Sequence, residues 1–465
     1  MQGLPLVIAF VVAIVLMIVA ISKWKIHPFL SIMAISLILG LVAGIPLINE
    51  TLADGTIRQG IAGVIGTGFS GTFTSIGIVI ILGALIGNIL EATGAAFKLA
   101  DVVVSVVGAK RPTLAIMLMG WVVSIPVFCD SGFVILNPIR KAMVRKTGAS
   151  SVAMTVALSA GLYASHVFVP PTPGPIAAAN TLYEGVGMPV NMLLVMGLGV
   201  LVSIPALIGA YIYASYIGKK VKSDEDNAEV VQSYEELKAA YGKIPGGLLS
   251  FAPIVVPILL MALGSISAMA GFTGFIHQLL TFLGTPIIAL AVGTIFGVFL
   301  LMDTKALDKF YEITNDTLKV TGPILFVTAA GGVLGKVIAE SGMVDYITQN
   351  ATMLQAIGIF FPFLLSAILK TAQGSSTVAL TTTAGIMAPL MGVLRLDTSA
   401  LVALSVMAIG AGAMTVSHAN DSYFWVVTNF GGLTPEKGYR TQTAATLIEG
   451  LCAMVGVFIL WLFMR

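Results

Sequence analysis

The sequence predicts an all-α integral membrane protein made of two inverted repeats of five transmembrane helices, each repeat with a re-entrant hairpin and a broken helix. Three observations carry that prediction. The 465 residues are 57% hydrophobic and only 10% charged, against about 25% charged in an average soluble domain. Two apolar stretches, 111–148 and 355–394, are too long for one helix and are interrupted by glycine and polar residues near their midpoints. Three sequence marks recur in the same order in both halves.

A membrane-crossing helix needs about 20 apolar residues. The runs that qualify are 3–22, 26–48, 73–92, 150–169 and 189–217 in the first half, and 248–272, 279–302, 321–340, 398–417 and 441–464 in the second. Between them lies one long hydrophilic stretch, 218–247, rich in Asp, Glu and Lys. It reads as a cytoplasmic linker between a first membrane repeat (1–217) and a second, inverted one (248–465). The run from Leu4 to Ile21 lacks a basic leader and a small-residue exit, so it reads as a retained span. Net charge is +2, which gives no signal for nucleic acid. Cys129 and Cys452 both sit in apolar stretches, so neither a disulfide framework nor a metal site is expected.

The two interrupted stretches are better accommodated as half-length helices joined by a turn. The first is broken around Pro126, Asp130, Ser131 and Gly132; the second around Lys370, Gln373, Gly374, Ser375 and Ser376. Irregular backbone at membrane depth survives only where it lines protein or a water-filled cavity. The repeat is visible in Gly83 and Gly87 against Gly331 and Gly335, 248 residues apart, and in Ser165-His166 against Ser417-His418, 252 residues apart. With the hairpins counted as no crossing, each half crosses five times, and an odd number inverts the second half. Inverted repeats with discontinuous helices are typical of secondary transporters. With both termini outside, 19 of the 24 Lys and Arg residues fall on the cytoplasmic side, as positive-inside bias requires.

Charge inside a bilayer costs about 2.5–3.5 kcal/mol on insertion scales, so intramembrane ionisable residues ask for a reason. At the first hairpin, Ser131 and Gly132 are expected to open the second helix, where free backbone N–H groups and the positive end of the helix dipole suit a carboxylate. Asp130 beside them is either a ligand for hydroxyls or a proton, or an N-cap. Gln373, Gly374, Ser375 and Ser376 are the counterpart at the second hairpin, offering hydrogen bonds to a polyol or merely close helix packing. Lys370 nearby is left to pair with an acid, attract anions or snorkel. Four prolines between Pro170 and Pro175 must unwind the chain after His166, and the polar run Ser417 to Ser422 is the matching break. A histidine ordinarily titrates near neutrality, so His166 and His418 are candidates to carry a proton, or else to hold the break by hydrogen bonds. Asp421 is a further proton candidate. The proton-coupling candidates are therefore Asp130, His166, His418 and Asp421.

Four motifs, FCDSGFVILNP (128–138), HVFVPPTPGP (166–175), TAQGSSTV (371–378) and SHANDSYFW (417–425), make the chain resemble the gluconate permease family of gluconate:proton symporters. The likeness runs nearly end to end. It implies the ion transporter superfamily fold, a scaffold with a moving, elevator-like transport domain, a homodimer, and residence in a bacterial inner membrane. It implies uptake of a small hydroxy-acid anion driven by the proton gradient, with no cofactor. Substrate contacts carried over include Thr172, Gly174 and Asn420. Thr172 stands where gluconate members mostly carry histidine, so glycerate, another sugar acid or D-serine stays open beside gluconate. Serine- and threonine-rich tips leave sodium coupling as an alternative. No hydrolase motif is present, and an inverted repeat has no purpose in an enzyme.

Overall fold

The computed structural model describes residues 3–52, 55–96, 98–99, 102, 111–223, 245–269, 273–343, 346, 357–418 and 421–465. Apart from a two-residue β-ladder pairing Glu50 with Arg58 and Thr51 with Ile57, it is all helix. The first half comprises α1 (Leu4–Ser22), α2 (Pro28–Ala43), α3 (Ile61–Thr72), α4 (Ile78–Ala92), α5 (Pro112–Val123), α6 (Cys129–Thr147), α7 (Ser151–Phe168), α8 (Pro173–Gly185) and α9 (Met192–Ile217). The second half comprises α10 (Gly247–Met269), α11 (Gly274–Gly284), α12 (Pro286–Asp303), α13 (Phe310–Glu340), α14 (Phe360–Gln373), α15 (Ser376–Met387), α16 (Ser399–Met414), α17 (Ser422–Phe430), the single turn α18 (Pro435–Gly438) and α19 (Ala444–Met464). Among the described residues, seven helical stretches are long and apolar enough to cross a membrane.

Burial sorts these helices into two groups. Every residue of α7 and of α15 is buried, as is all of α16 from Leu401 on. Such all-round burial of an apolar helix needs neighbours on every side. The outer helices invert the soluble pattern. α19 exposes Leu447, Leu451, Val455 and Ile459 and buries Thr446, Glu449 and Gly450. α1 exposes Leu4, Ile8, Val11 and Val15. Apolar stripes at helical spacing on the outside, with polar residues inward, are what a lipid-facing helix requires.

Several boundaries differ from the sequence expectation. The span expected at 73–92 starts at Ile61, because a π-helical turn at 73–77 joins α3 to α4; the glycines and hydroxyls of 60–71 hid that first half. The span expected at 279–302 is two helices meeting at Thr285, with Pro286 opening the second. The first hairpin turns at 124–128, so its second helix opens at Cys129, two residues before Ser131. Asp130 is accordingly in the first turn and is not the N-cap; Phe128 holds that position with extended backbone. Lys370 lies within α14 rather than in the turn, which is only Gly374 and Ser375. The broken helices end at Phe168 and Met414 and resume at Pro173 and Ser422. Of the linker, 224–244 lies outside the described residues.

Close helix contact depends on glycine at specific points. A Cβ on Gly335 would run into the carbonyl of Gly385, and one on Gly385 would stand 2.6 Å from the carbonyl of Gly331. Helices α13 and α15 therefore touch backbone to backbone. Gly83 faces the carbonyl of Pro171 and Gly87 that of Pro126, so α4 lies against the first hairpin turn and the first helix break. Arg140 on α6 is fully buried; its guanidinium donates to Asn137 Oδ1 (2.7 Å), Ser151 Oγ (2.9 Å) and the carbonyl of Phe430 (3.4 Å). It ties the first hairpin to the start of α7 and the end of α17.

Gly335→Ala is expected to destabilise the protein by about 1–3 kcal/mol through overpacking. Gly322→Ala on the same helix, where nothing lies within 4 Å, is expected to be neutral or to stabilise by up to about 1 kcal/mol through helix propensity. Melting of the purified variants in detergent checks the contrast.

Candidate substrate site

The elements that break meet at one cavity of about 280 Å³. Its wall includes Phe128, Cys129 and Asp130 from the first hairpin, His166 from α7, Ser375, Ser376 and Thr377 from the second hairpin, and Asp421, Ser422 and Tyr423 from the second break. Asn88 of α4 and Val320 and Ile324 of α13 close the remaining side. The volume is at the small end of the roughly 300–1,000 Å³ typical of ligand pockets.

Three helices begin at this cavity: α6 at Cys129, α15 at Ser376 and α17 at Ser422. The first amides of a helix have no intrahelical acceptor, and the dipoles place partial positive charge there. Two of the three starts are capped. Ser375 Oγ accepts from Val378 N (3.3 Å), and Asp421 Oδ1 accepts from Tyr423 N (3.0 Å). The start of α6 has no side-chain cap, and its first helical hydrogen bond is Gly132 N to Phe128 O (2.8 Å). The amides ahead of Gly132 thus point out of the helix at the cavity wall, where an oxyanion can accept from them.

The second break is held by an ion pair. Lys370 Nζ lies 2.6 Å from Asp421 Oδ2, and both side chains are at most 5% exposed. The same ammonium donates to the carbonyl of Gly374, and Ser417 Oγ donates to Asp421. Gly374 itself is left-handed at φ 88°, a conformation glycine adopts without Cβ strain. One lysine therefore joins the tip of the second hairpin to the N-cap of α17. Tyr163, whose ring centroid is 5.8 Å from Nζ, closes this cluster from α7.

Of the residues the sequence singles out, Asp130, His166, Ser375, Ser376 and Asp421 come together on the cavity wall. Asp130 Oδ1 accepts from Ser422 Oγ at 3.1 Å, which links the first hairpin to the second break. His166 faces Thr377 Oγ1 at 3.5 Å through Nε2; its Nδ1 has no hydrogen-bond partner among the described residues. Gly132, Thr172, Gly174, Gly374 and His418 are not among the lining residues. Thr172 Oγ1 donates to the carbonyl of Val169 (2.8 Å) and closes the first break. Gly132 makes room for Leu162 and Gly174 for Leu380. His418 Nε2 donates to the carbonyl of Thr371 (2.9 Å), bracing the second break on α14. Asn420 lies outside the described residues, as do the side chains of Ser131 and Gln373. The sequence reading missed Asn88, an amide next to Gly87 on a helix whose only other polar side chain is Glu91 near its end; Nδ2 donates to Thr317 Oγ1 at 2.8 Å. Among the described residues no group of His, Cys, Asp and Glu is arranged to hold a metal ion.

The family model described as GntP family permease matches residues 4–463. The inner membrane permease YgbN of Escherichia coli is 32% identical over 477 residues, covering 99% of this chain and 99% of that protein. The low-affinity gluconate transporter of Escherichia coli is 30% identical over 464 residues, covering 98% of each. Among solved structures, the YdaH transporter of Alcanivorax borkumensis superposes with a TM-score of 0.63 at 16% identity, covering 94% of this chain and 97% of that one. MtrF of Neisseria gonorrhoeae superposes with a TM-score of 0.64 at 15% identity, covering 95% and 96%. These two likenesses concern the fold alone.

Removing one partner of a buried ion pair costs on the order of 3–5 kcal/mol, because the other charge is left unpaired. Lys370→Met and Asp421→Asn are each expected to lower the melting temperature markedly, and the double variant to recover much of the loss. Losses that simply add would show that the two residues are not coupled.

Proposed function

As this chain belongs to the GntP permease family, and is a multi-pass membrane transporter rather than an enzyme, we propose that it imports a small hydroxy-acid anion, gluconate or a related sugar acid such as glycerate, by proton symport. The observation that carries this reading is the uncapped start of α6 at a cavity whose other walls are hydroxyls, an imidazole, an amide and a carboxylate. The substrate carboxylate takes the amides of 129–131. Its hydroxyls then face Asp130, His166, Ser376, Thr377 and Asn88. Lys370 does not serve as the carboxylate's counter-ion, since Asp421 already holds it. The relatives named as gluconate transporters support the substrate class.

Two arguments support symport over free diffusion of the anion. A carboxylate entering beside Asp130 meets like charge, which a proton taken up with it removes. A solute enclosed by two hairpins and two broken helices also suits alternating access, in which inverted repeats rock or slide about a midplane site. The proposal accordingly includes the inverted five-helix repeats, re-entrant hairpins, an elevator-like transport domain, a homodimer, both termini outside and an inner-membrane location. Sodium coupling is the alternative, because Ser375, Ser376 and Thr377 present oxygen donors at the second tip.

Reconstituted protein is expected to accumulate labelled gluconate against its gradient when the lumen is alkaline, and to stop when a protonophore collapses the pH difference. Uptake that ignores the protonophore and requires sodium would replace proton by sodium. Competition by D-serine but by no hydroxy acid would replace the substrate class.

A further inference from the structure

One ionisable group in the interior of the protein takes no part in the cavity described above. Glu449 sits on the inward face of α19 at 0% exposure, and neither carboxyl oxygen has a hydrogen-bond partner among the described residues. A carboxylate placed there gives up its hydration with nothing to replace it, which makes the site hostile to the charge. The neutral acid pays far less, only the cost of burying an unpaired hydroxyl and carbonyl. Gly450 beside it packs so tightly on the end of α16 that a Cβ would collide with Thr415 Oγ1 and stand 2.8 Å from the carbonyl of Ala411. This face of α19 is therefore held against the helix that ends at the second break.

The same face of α19 is connected to the cavity by a seam of hydrogen bonds. Thr446, three residues before Glu449, accepts from the backbone N–H of Ser417 (3.0 Å), and Ser417 Oγ donates to Asp421. Gln442, two turns before Glu449, accepts from Ser159 Oγ (2.7 Å), and Tyr423 on the cavity wall donates to the carbonyl of Ser159 (2.9 Å). Gln442 Nε2 has no partner among the described residues either. The segment entering the helix, 439–443, is a π-helical turn, a feature frequent at functional sites.

No described charge on the elements packed around α19 neutralises Glu449. α16 carries no titratable side chain, α7 carries Tyr163 and His166, α9 carries tyrosines, α17 contributes Tyr423, and Cys452 is on α19 itself. Lys370, on α14, is engaged by Asp421. Arg440 at the helix entry is exposed.

We propose that Glu449 is a proton-binding site of the transport cycle, separate from the substrate cavity and coupled to it through the Thr446–Ser417 and Gln442–Ser159 contacts. The step is a simple protonation. The carboxylate takes one proton from water, becomes the neutral acid when the seam closes over it, and returns the proton to water when the seam opens on the other side. This inference rests on the symport reading given above.

The test compares wild type, Glu449→Gln and Glu449→Asp in liposomes, each first shown to be folded by size-exclusion chromatography. Labelled gluconate is followed in two assays: accumulation driven by a pH difference, and counterflow at equal pH. Glu449→Gln, a permanent mimic of the neutral acid, is expected to keep counterflow within about twofold and to lose uphill accumulation. Glu449→Asp is expected to restore accumulation in part. Infrared spectra should show a protonated-carboxyl band in wild type that is missing from Glu449→Gln. Undiminished accumulation by Glu449→Gln, or an unchanged carboxyl band, would overturn the proposal while leaving symport in place. Should Glu449→Gln not fold, Glu449→Asp decides: a shifted protonated-carboxyl band together with weakened accumulation at intact counterflow upholds the proposal, and accumulation and a carboxyl band identical to wild type overturn it. Wild type that does not respond to the pH difference would instead sink the symport reading itself.

Discussion

A backbone amide or carbonyl at membrane depth must find its partner inside the protein, since lipid offers none. This chain breaks its helices at 124–128, at 169–172, after Gln373 and after Met414, and each break has to be made good. Thr172 returns a hydroxyl to the carbonyl of Val169, Lys370 reaches the carbonyl of Gly374, and His418 covers the carbonyl of Thr371. The start of α6 has no such side chain. The helices packed around these breaks are buried on every side, and the outer helices turn their polar face inward to meet them. The architecture is thus organised around where the main chain stops being regular.

Electrostatics follow from the same constraint. A buried lysine is tolerable at the second break because Asp421, Ser417 and the Gly374 carbonyl surround it. The pair consumes the positive charge that an anion would otherwise seek. What remains for the proposed substrate is dipolar: the amides at the head of α6, and hydroxyls contributed by the second hairpin and the second break. Asp130 accepts from Ser422 across the cavity, and in the proposed reading it selects for hydroxyl donors.

Much of this was legible in the residues. Prolines 170 and 171 could only interrupt a helix, Pro173 and Pro175 fit only the first turn of the next one, and Gly374-Ser375 could only be a turn between apolar half-helices. Asp130, His166 and Asp421 stood out as ionisable groups in apolar surroundings, and all three reach the cavity. Boundaries were less legible because helical membrane segments tolerate glycine and hydroxyls, which is how 61–72 escaped notice. Partners were illegible altogether. Nothing local says that Lys370 meets a carboxylate 51 residues later, or that Arg140, one of four basic residues in a row of turns, is fully buried and fastened to Phe430. Asn88 and Glu449 were passed over because a single polar residue in a long apolar run reads as noise until its neighbours are known.

The uncapped head of α6 has an implication for how such a permease changes its cargo over evolutionary time. Main-chain amides belong to no particular residue, so a carboxylate seat made of them, as proposed above, survives most substitutions nearby. Discrimination among acids of different length or hydroxylation falls to the surrounding side chains, Asn88, Ser422 and Thr377 among them. A few exchanges at those positions can retune a lineage toward another acid while the charge-binding step stays as it was.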